Sequence, residues 1–134
     1  KQLIGFVGIA SAPEFTERIM WKNFTKKMKS QILKNNVLEL KNDYGSTYPI
    51  TKKLIFDGRK NKVFSKMKLK IPALLFHGTN DKTVPIIFSK KTLKLFTNKK
   101  KKMFIIKNGD HSLSKKINLK KINKELKKLI KQFF

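Results

Sequence analysis

Three short apolar runs, separated by long polar and basic stretches, constrain the fold of this chain more than any other feature. They occupy residues 3–12, 72–76 and 103–106. Each run is apolar on both faces, which is typical of a strand buried inside a parallel sheet. Segments with helical spacing follow each of them. The order of strand, helical segment, strand, helix, strand and helix therefore predicts an α/β fold with parallel strands and flanking helices.

Apolar residues recur at helical spacing in the segments between and after these runs. The predicted helices cover residues 14–32, 50–56, 86–96 and 119–133, and Gly58 is expected to cap the second of them. The apolar stripe of the last helix consists of Leu119, Ile122, Leu126, Leu129 and Phe133. Its lysine-rich face would suit a membrane surface, but we expect the stripe to pack on the sheet.

The segments outside these runs and helices are less regular. Composition predicts a loop over residues 42–49 and a solvated turn over residues 99–102, and it leaves residues 37–41 unassigned. Three strands are few for a parallel sheet, which usually has more strands and helices on both faces. We therefore expect this chain to form one side of a sheet whose remainder lies elsewhere. A first residue that is not Met agrees with that expectation.

The charge of the chain invites an interpretation as a nucleic-acid-binding domain. Its 134 residues carry a net charge of +25, and many cations together give salt-dependent affinity for phosphates. However, only Arg18 and Arg59 among the 33 cationic residues are arginines, and readers of bases favour arginine. The lysines are also spread along the chain, as coding from an A/T-rich genome would produce. We therefore expect no specific nucleic-acid partner, although a basic nucleic-acid-binding domain remains an alternative.

Several classes of site are excluded by residue types. There is no cysteine, so disulfides, thiolate metal sites and a cysteine nucleophile are ruled out. With two histidines and no close group of carboxylates, no metal site is expected, and no glycine-rich phosphate loop or other cofactor motif is present. No apolar run is long enough to span a bilayer, and no signal peptide is visible. We expect a bacterial cytoplasmic protein without a cofactor.

The two histidines stand in the polar loops that follow the second and third predicted strands. His77 and Asp81 lie in the first loop, and Asp110 and His111 in the second. The carboxyl ends of parallel strands are where catalytic groups collect. An aspartate on one loop could fix the tautomer of a histidine on the other and stabilise the imidazolium formed in catalysis. On these two residues alone, a solvated turn aspartate beside an incidental histidine is the better interpretation.

The patterns around these residues are more specific. Residues 77–85 fit H-G-x-x-D-x-x-V-P, and residues 109–111 fit G-x-H after a strand. In this order and about thirty residues apart, they resemble the C-terminal part of the α/β-hydrolase fold. The resemblance implies that Asp81 is the acid and His111 the base of a Ser-His-Asp triad. It also implies that Asp110 is only a neighbour and that His77 is a structural turn residue.

The resemblance extends to the first half of the chain. Its first half resembles one branch of small serine hydrolases, which is similar to the ABHD10-type palmitoyl-protein thioesterases and their bacterial relatives. The residues that carry this resemblance are 7–13 followed by Phe15-Thr16, then Trp21, Ile50-Thr51 and 57–59. The resemblance implies that residues 1–13 form strand six, residues 14–70 a small helical cap, and residues 71–134 strands seven and eight with the last helix.

The residues of the cap region have two interpretations each. Arg59 could contact an acidic group of a substrate or form a local salt bridge. The aromatic residues could line an acyl pocket or form the core of the cap; they are Phe15, Trp21, Phe24, Tyr44 and Tyr48.

The chain departs from the pattern of the family at the nucleophile. None of its seven serines stands in G-x-S-x-G, the turn that carries the serine in this fold. We expect the serine upstream of Lys1, so that this chain is the C-terminal part of an esterase or thioesterase acting on small-molecule or acyl-protein substrates and is inactive alone. The alternatives are a peptidase or dienelactone-type hydrolase on the same fold, or a degenerate relative. The oligomeric state is not predicted.

Overall fold

A computed structural model describes residues 3–41 and 45–131. The chain divides into two compact units, one formed by Lys1–Pro13 with Lys66–Phe134 and the other by Glu14–Ser65. In chain order the elements are β1 (Phe6–Ile9), a π-helical segment (Thr16–Trp21), α1 (Lys26–Asn35), β2 (Val37–Lys41), β3 (Thr47–Thr51), α2 (Lys52–Lys60), β4 (Ala73–Gly78), α3 (Ile86–Leu93), β5 (Lys101–Ile106) and α4 (Lys116–Ile130).

The first unit contains a parallel three-stranded sheet in the order β1-β4-β5. All six residues of the central strand β4 are buried, as expected of a strand that has a neighbour on each side and helices over its faces. In the register of the sheet, Gly8 pairs with Leu75 and His77 pairs with Ile105. The α/β class and the parallel sheet predicted from the apolar runs are therefore confirmed.

The core of this unit lies between the sheet and α4. Phe76 is fully buried, and its ring stacks on that of Phe104 at 4.9 Å between centroids. Ile122 and Leu129 of α4 join this core, so this part of the apolar stripe packs on the sheet as expected, whereas Leu119 is 45% exposed. Phe133, the last member of the predicted stripe, lies outside the described residues.

The first strand differs from its prediction in length and in burial. It covers Phe6–Ile9 rather than residues 3–12, and within the described part of the chain it pairs with β4 alone. Ile9 is 42% exposed, and Phe6 and Val7 are exposed to a similar degree. The apolar sequence predicted a strand buried on both faces, and this chain by itself does not bury it.

The second unit is not purely helical, which corrects the expectation of a small helical cap. It contains an antiparallel hairpin, β2 with β3, in which Leu38 pairs with Ile50. These two side chains form a buried core with Ile32 of α1 and Ile55 of α2. Residues 47–49, predicted as part of a loop, are therefore strand. The reason is that a two-stranded ladder tolerates Pro49 and buries few of its side chains.

The helices of the second unit begin and end at other residues than predicted. The segment 14–32 is divided, because α1 starts only after Thr25, whose hydroxyl oxygen accepts a hydrogen bond from the Met28 amide at 3.2 Å. Helix α2 begins at Lys52 and runs to Lys60. It passes through Gly58, which is therefore not a C-cap. A Cβ at Gly58 would collide with the hydroxyl of Thr16, so close packing requires the glycine.

Two boundaries in the first unit also differ from expectation. Helix α3 ends at Leu93 rather than at residue 96. Strand β5 begins at Lys101, within the segment predicted as a turn, because Lys101 and Lys102 continue the ladder with β4 opposite Ala73 and Leu74.

Candidate active site

The turn that follows β4 holds Asp81 by its own backbone. The carboxylate oxygen Oδ1 of Asp81 accepts hydrogen bonds from the amides of Thr83 at 2.8 Å and Val84 at 2.9 Å. Aspartate forms such turns readily because its short side chain reaches the amides two and three residues ahead. The second oxygen, Oδ2, is left for a partner outside the turn.

The turn that follows β5 is shaped in the same way by Asp110. Its Oδ1 accepts a hydrogen bond from the amide of Leu113 at 2.8 Å and one from the hydroxyl of Ser112 at 3.3 Å. The side chain of Leu113 is fully buried in the core and anchors the turn. His111 lies between Asp110 and Leu113 in the chain. The carboxylate of Asp110 thus shapes the turn by binding its backbone and Ser112, and it is not the partner of the imidazole.

Backbone contacts join the two turns. The amide of Asn80 donates to the carbonyl of Gly109 at 2.8 Å, and the amide of Asn108 donates to the hydroxyl of Thr79 at 2.8 Å. Asn108 has φ of 56°, a left-handed conformation that asparagine tolerates better than most residues. These bonds bring together two loops that are thirty residues apart in the chain.

The side chains of Asp81 and His111 meet at this junction. His111 Nδ1 lies 2.9 Å from Asp81 Oδ2. The side chain of Asp81 is 1% exposed, whereas that of His111 is 48% exposed. Because a carboxylate only accepts hydrogen bonds, Nδ1 carries the proton, and Nε2 of the neutral ring is the basic nitrogen. The arrangement is that of a histidine oriented by a buried acid and open to a reactant.

Asp81 is held in its ionised form. Burial by itself would raise the pKa of its carboxyl, but hydrogen bonds from Val84, His111 and Thr83 outweigh that effect and lower the pKa below its ordinary value. A carboxylate in this state stabilises an imidazolium at His111 when the ring takes up a proton.

His77 is more deeply placed than a turn residue. It is the fifth residue of β4 and its side chain is 1% exposed. Its Nδ1 lies 2.8 Å from the hydroxyl of Ser89 in α3, and its Nε2 lies 3.0 Å from the carbonyl oxygen of Val84. Nε2 also lies 3.4 Å from Asp81 Oδ2. The sequence shows that His77 ends a strand but offers no signal for its contact with Ser89.

Among the described residues of the first unit, the serines are engaged in other hydrogen bonds or stand outside the expected frame. Ser89 is fully buried and occupied with His77. Ser112 Oγ contacts Ser114 Oγ at 3.0 Å and donates to Asp110. Ser11 follows β1, but the G-x-S-x-G frame is absent from the sequence around it. The structure thus pairs Asp81 with His111, and the sequence has no serine in the expected frame.

The second unit places Arg59 in a local ion pair. Its Nε lies 2.6 Å from Glu17 Oε2, and its guanidinium stands over the rings of Trp21 at 4.7 Å and Phe56 at 5.1 Å. Trp21 and Phe24 pack against the core of this unit, whereas Phe15 and Tyr48 are exposed. Tyr44 lies outside the described residues.

Within residues 3–41 and 45–131, no group of three or more histidine, aspartate or glutamate side chains is placed to hold a metal ion. No helix in that part of the chain is both long and apolar enough to cross a membrane.

Comparison with known proteins gives structural matches only. No model of a known protein family matches the chain, and no curated protein sequence matches it either. A protein from Agrobacterium vitis S4, whose assignment as a hydrolase is itself provisional, superposes with a TM-score of 0.88 at 24% identity, over 96% of this chain and 50% of its own. Mouse alpha/beta hydrolase domain-containing protein 10 superposes with a TM-score of 0.82 at 19% identity, over 100% of this chain and 54% of its own.

A third match is more distant. The monoacylglycerol lipase of Paleococcus ferrophilus has a TM-score of 0.64 at 18% identity, over 98% of this chain and 60% of its own. At these identities the matches establish the fold and not the activity. This chain spans about half the length of the first two matched proteins. Over that span, the chain has the α/β-hydrolase fold, as the motifs around Asp81 and His111 predicted.

Proposed function

We propose that Asp81 and His111 are the acid and the base of a serine hydrolase that cleaves carboxylic esters or acyl thioesters. The observation that carries the proposal is the 2.9 Å contact between His111 Nδ1 and a buried, ionised Asp81, with the histidine half exposed. A buried acid that orients an accessible imidazole is the arrangement that general-base catalysis by histidine requires.

The mechanism follows from the free nitrogen of the ring. His111 Nε2 takes the proton of a serine hydroxyl, and the serine oxygen attacks the carbonyl carbon of the ester or thioester. The imidazolium, stabilised by Asp81, then protonates the leaving alcohol or thiol. Water repeats the cycle on the acyl-serine and regenerates the hydroxyl. Donors to the oxyanion would come from backbone amides outside this chain.

The serine is proposed to come from polypeptide that this chain does not include. The matched hydrolases are about twice as long as this chain. The apolar side chains of β1 are partly exposed, and within the described residues β1 has only β4 as a neighbour. A preceding half of the sheet would cover this strand and bring a nucleophile to the same edge as His111. Alone, this chain is proposed to turn over little or no ester.

A fatty-acyl thioester is the proposed substrate class. The support is the resemblance to the thioesterase branch noted in the sequence, together with similarity to a mouse protein of the same fold at a TM-score of 0.82. A peptidase or dienelactone-type hydrolase would use the same acid and base, so the substrate panel of the assay must include these classes. We propose a cytoplasmic location in a bacterium and a reaction that needs no cofactor and no specific nucleic-acid partner.

The first experiment is to read the coding DNA immediately upstream of Lys1. A frame that continues and encodes G-x-S-x-G supports the proposal. The longer protein is then assayed with acyl thioesters, acyl esters, a dienelactone and peptide substrates, and treated with a fluorophosphonate that labels activated serines.

Two variants decide the role of the base. His111→Ala should abolish both turnover and labelling, whereas Lys107→Ala, an exposed change in the same loop, should leave both intact. Thioester hydrolysis that survives in His111→Ala would contradict the proposal. So would full turnover by this 134-residue chain alone, because the nucleophile would then lie within it.

A further inference from the structure

The buried imidazole of His77 has no part in the proposed reaction, yet it touches the acid of the site. Burying a polar ring without partners is costly, and His77 has partners on both nitrogens. They belong to two segments, α3 and the turn after β4, and that turn also carries Asp81. The ring therefore connects the core of the first unit to the carboxylate of Asp81.

The partners of His77 fix its tautomer. The carbonyl of Val84 can only accept a hydrogen bond, so Nε2 of the neutral ring carries the proton and donates to it at 3.0 Å. Nδ1 then accepts the single hydroxyl proton of Ser89 at 2.8 Å, in preference to the more distant Ser11 carbonyl oxygen, which lies 3.3 Å from that hydroxyl. Nε2 also lies 3.4 Å from Asp81 Oδ2. Its proton can therefore be shared between the Val84 carbonyl and, more weakly, the Asp81 carboxylate.

These contacts complete the restraint on Asp81. Thr83 and Val84 amides hold Oδ1, and His111 approaches Oδ2 from the exposed side. His77 approaches Oδ2 from the buried side and also ties the end of the turn, through the Val84 carbonyl, to strand β4. Without it, that carbonyl loses its buried donor, and the end of the turn loses its side-chain link to the strand.

We propose that His77 is a positioning residue, which holds the turn of residues 81–84 and its carboxylate in the orientation that His111 requires. The proposal rests on the proposed function for its catalytic meaning, but its geometry can be tested without any substrate. The quantity to measure is the tautomer of His111, because it reports whether Asp81 still accepts a hydrogen bond from Nδ1. A solvated imidazole that lacks such a partner is not held in the Nδ1–H form.

The experiment uses this chain labelled with ¹⁵N-histidine, at a pH where both rings are neutral. The chain has two histidines, so a long-range ¹H–¹⁵N spectrum contains two ring patterns, and any His77 variant leaves one. In the unaltered chain we expect the Nε2–H tautomer at His77 and the Nδ1–H tautomer at His111.

Three substitutions separate positioning from packing. His77→Gln keeps a side-chain N–H at the reach of Nε2, so His111 should stay in the Nδ1–H form. His77→Asn is too short to reach Val84, and His77→Leu has no donor, so both should shift His111 towards the Nε2–H form. Ser89→Ala removes the partner on the far side of the ring and should leave the pattern of His111 unchanged.

The outcomes are distinct. A His77→Leu chain that is folded, as judged by a dispersed amide spectrum, but keeps His111 fully in the Nδ1–H form overturns the proposal. Should His77→Leu not fold, the comparison of His77→Gln with His77→Asn decides, and identical His111 patterns in the two overturn it. Absence of hydrolase activity in the longer protein would contradict the proposed function and leave this result standing.

Discussion

Gly78 and Gly109 lie so close together that a Cβ on Gly78 would overlap with the carbonyl oxygen of Gly109. Gly78 ends β4, and Gly109 stands two residues before His111. Their contact is what allows the amide of Asn80 to donate to the Gly109 carbonyl and the two turns to meet. Asp81 and His111 are thus brought together by a junction with no room for a methyl group.

Gly78→Ala should therefore destabilise the chain and separate the two turns. Overpacking of this kind typically costs about 1–3 kcal/mol, which urea denaturation followed by circular dichroism would measure. Gly5→Ala is the matched control, because the added Cβ would meet the flexible end of Leu129 at 3.3 Å and the carbonyl oxygen of Pro72 at an ordinary contact distance of 3.7 Å. Equal stabilities for the two variants would show that the junction can relax, contrary to this prediction.

The ionisation of Asp81 should contribute to stability in a pH-dependent way. Its pKa in the folded chain lies below the ordinary value of 3.8. The ionised form therefore stabilises the fold fully above that value, and the stabilisation is lost as the pH falls through the lowered pKa.

Asp81→Asn should accordingly be less stable than the unaltered chain at neutral pH, and the gap should narrow in acid. Denaturation with urea at a series of pH values measures the gap directly, and the titration of the other carboxylates cancels in the difference. A gap that stays constant down to the lowest pH would mean that the charge of Asp81 does not stabilise the fold.

Gly58 offers a test of packing in the second unit. Replacing a helical glycine with alanine normally stabilises a helix by about 0.5–1 kcal/mol, but a Cβ here would collide with the hydroxyl of Thr16. We expect Gly58→Ala to destabilise the chain and Thr16→Ala, combined with it, to recover part of the loss. The double-mutant cycle gives the coupling between the two sites, and a coupling of zero would exclude the collision.

The sequence predicts the strands of this fold better than its second unit. Strands β4 and β5 are evident because residues 73–76 and 103–106 are apolar throughout. The sequence does not reveal the hairpin of β2 and β3, because each strand buries essentially one side chain, Leu38 or Ile50, and neither shows a marked alternation. The end of helix α2 is not predictable from the local sequence, because it depends on the packing of Gly58 against Thr16, forty-two residues away.

The candidate site, too, can be predicted only in part from the sequence. Asp81 and His111 could be paired because each follows a buried strand within a recognisable motif. The link from His77 to Ser89 could not be predicted, since it depends on where α3 passes β4. Likewise, only the structure shows that Asp110 accepts from the Leu113 amide and so shapes the turn.

The two aspartates of the site should respond differently to loss of charge. Asp110→Asn keeps an oxygen that accepts from Leu113 and should leave hydrolysis by the longer protein close to normal. Asp81→Asn keeps the shape of the side chain but can present an amide N–H to Nδ1 of His111, which favours the Nε2–H tautomer. This substitution should lower kcat by roughly 10³–10⁴-fold. Steady-state kinetics on an acyl thioester measures both. A larger loss in Asp110→Asn than in Asp81→Asn would reassign the acid to Asp110, whereas equal small losses would mean that His111 needs no carboxylate.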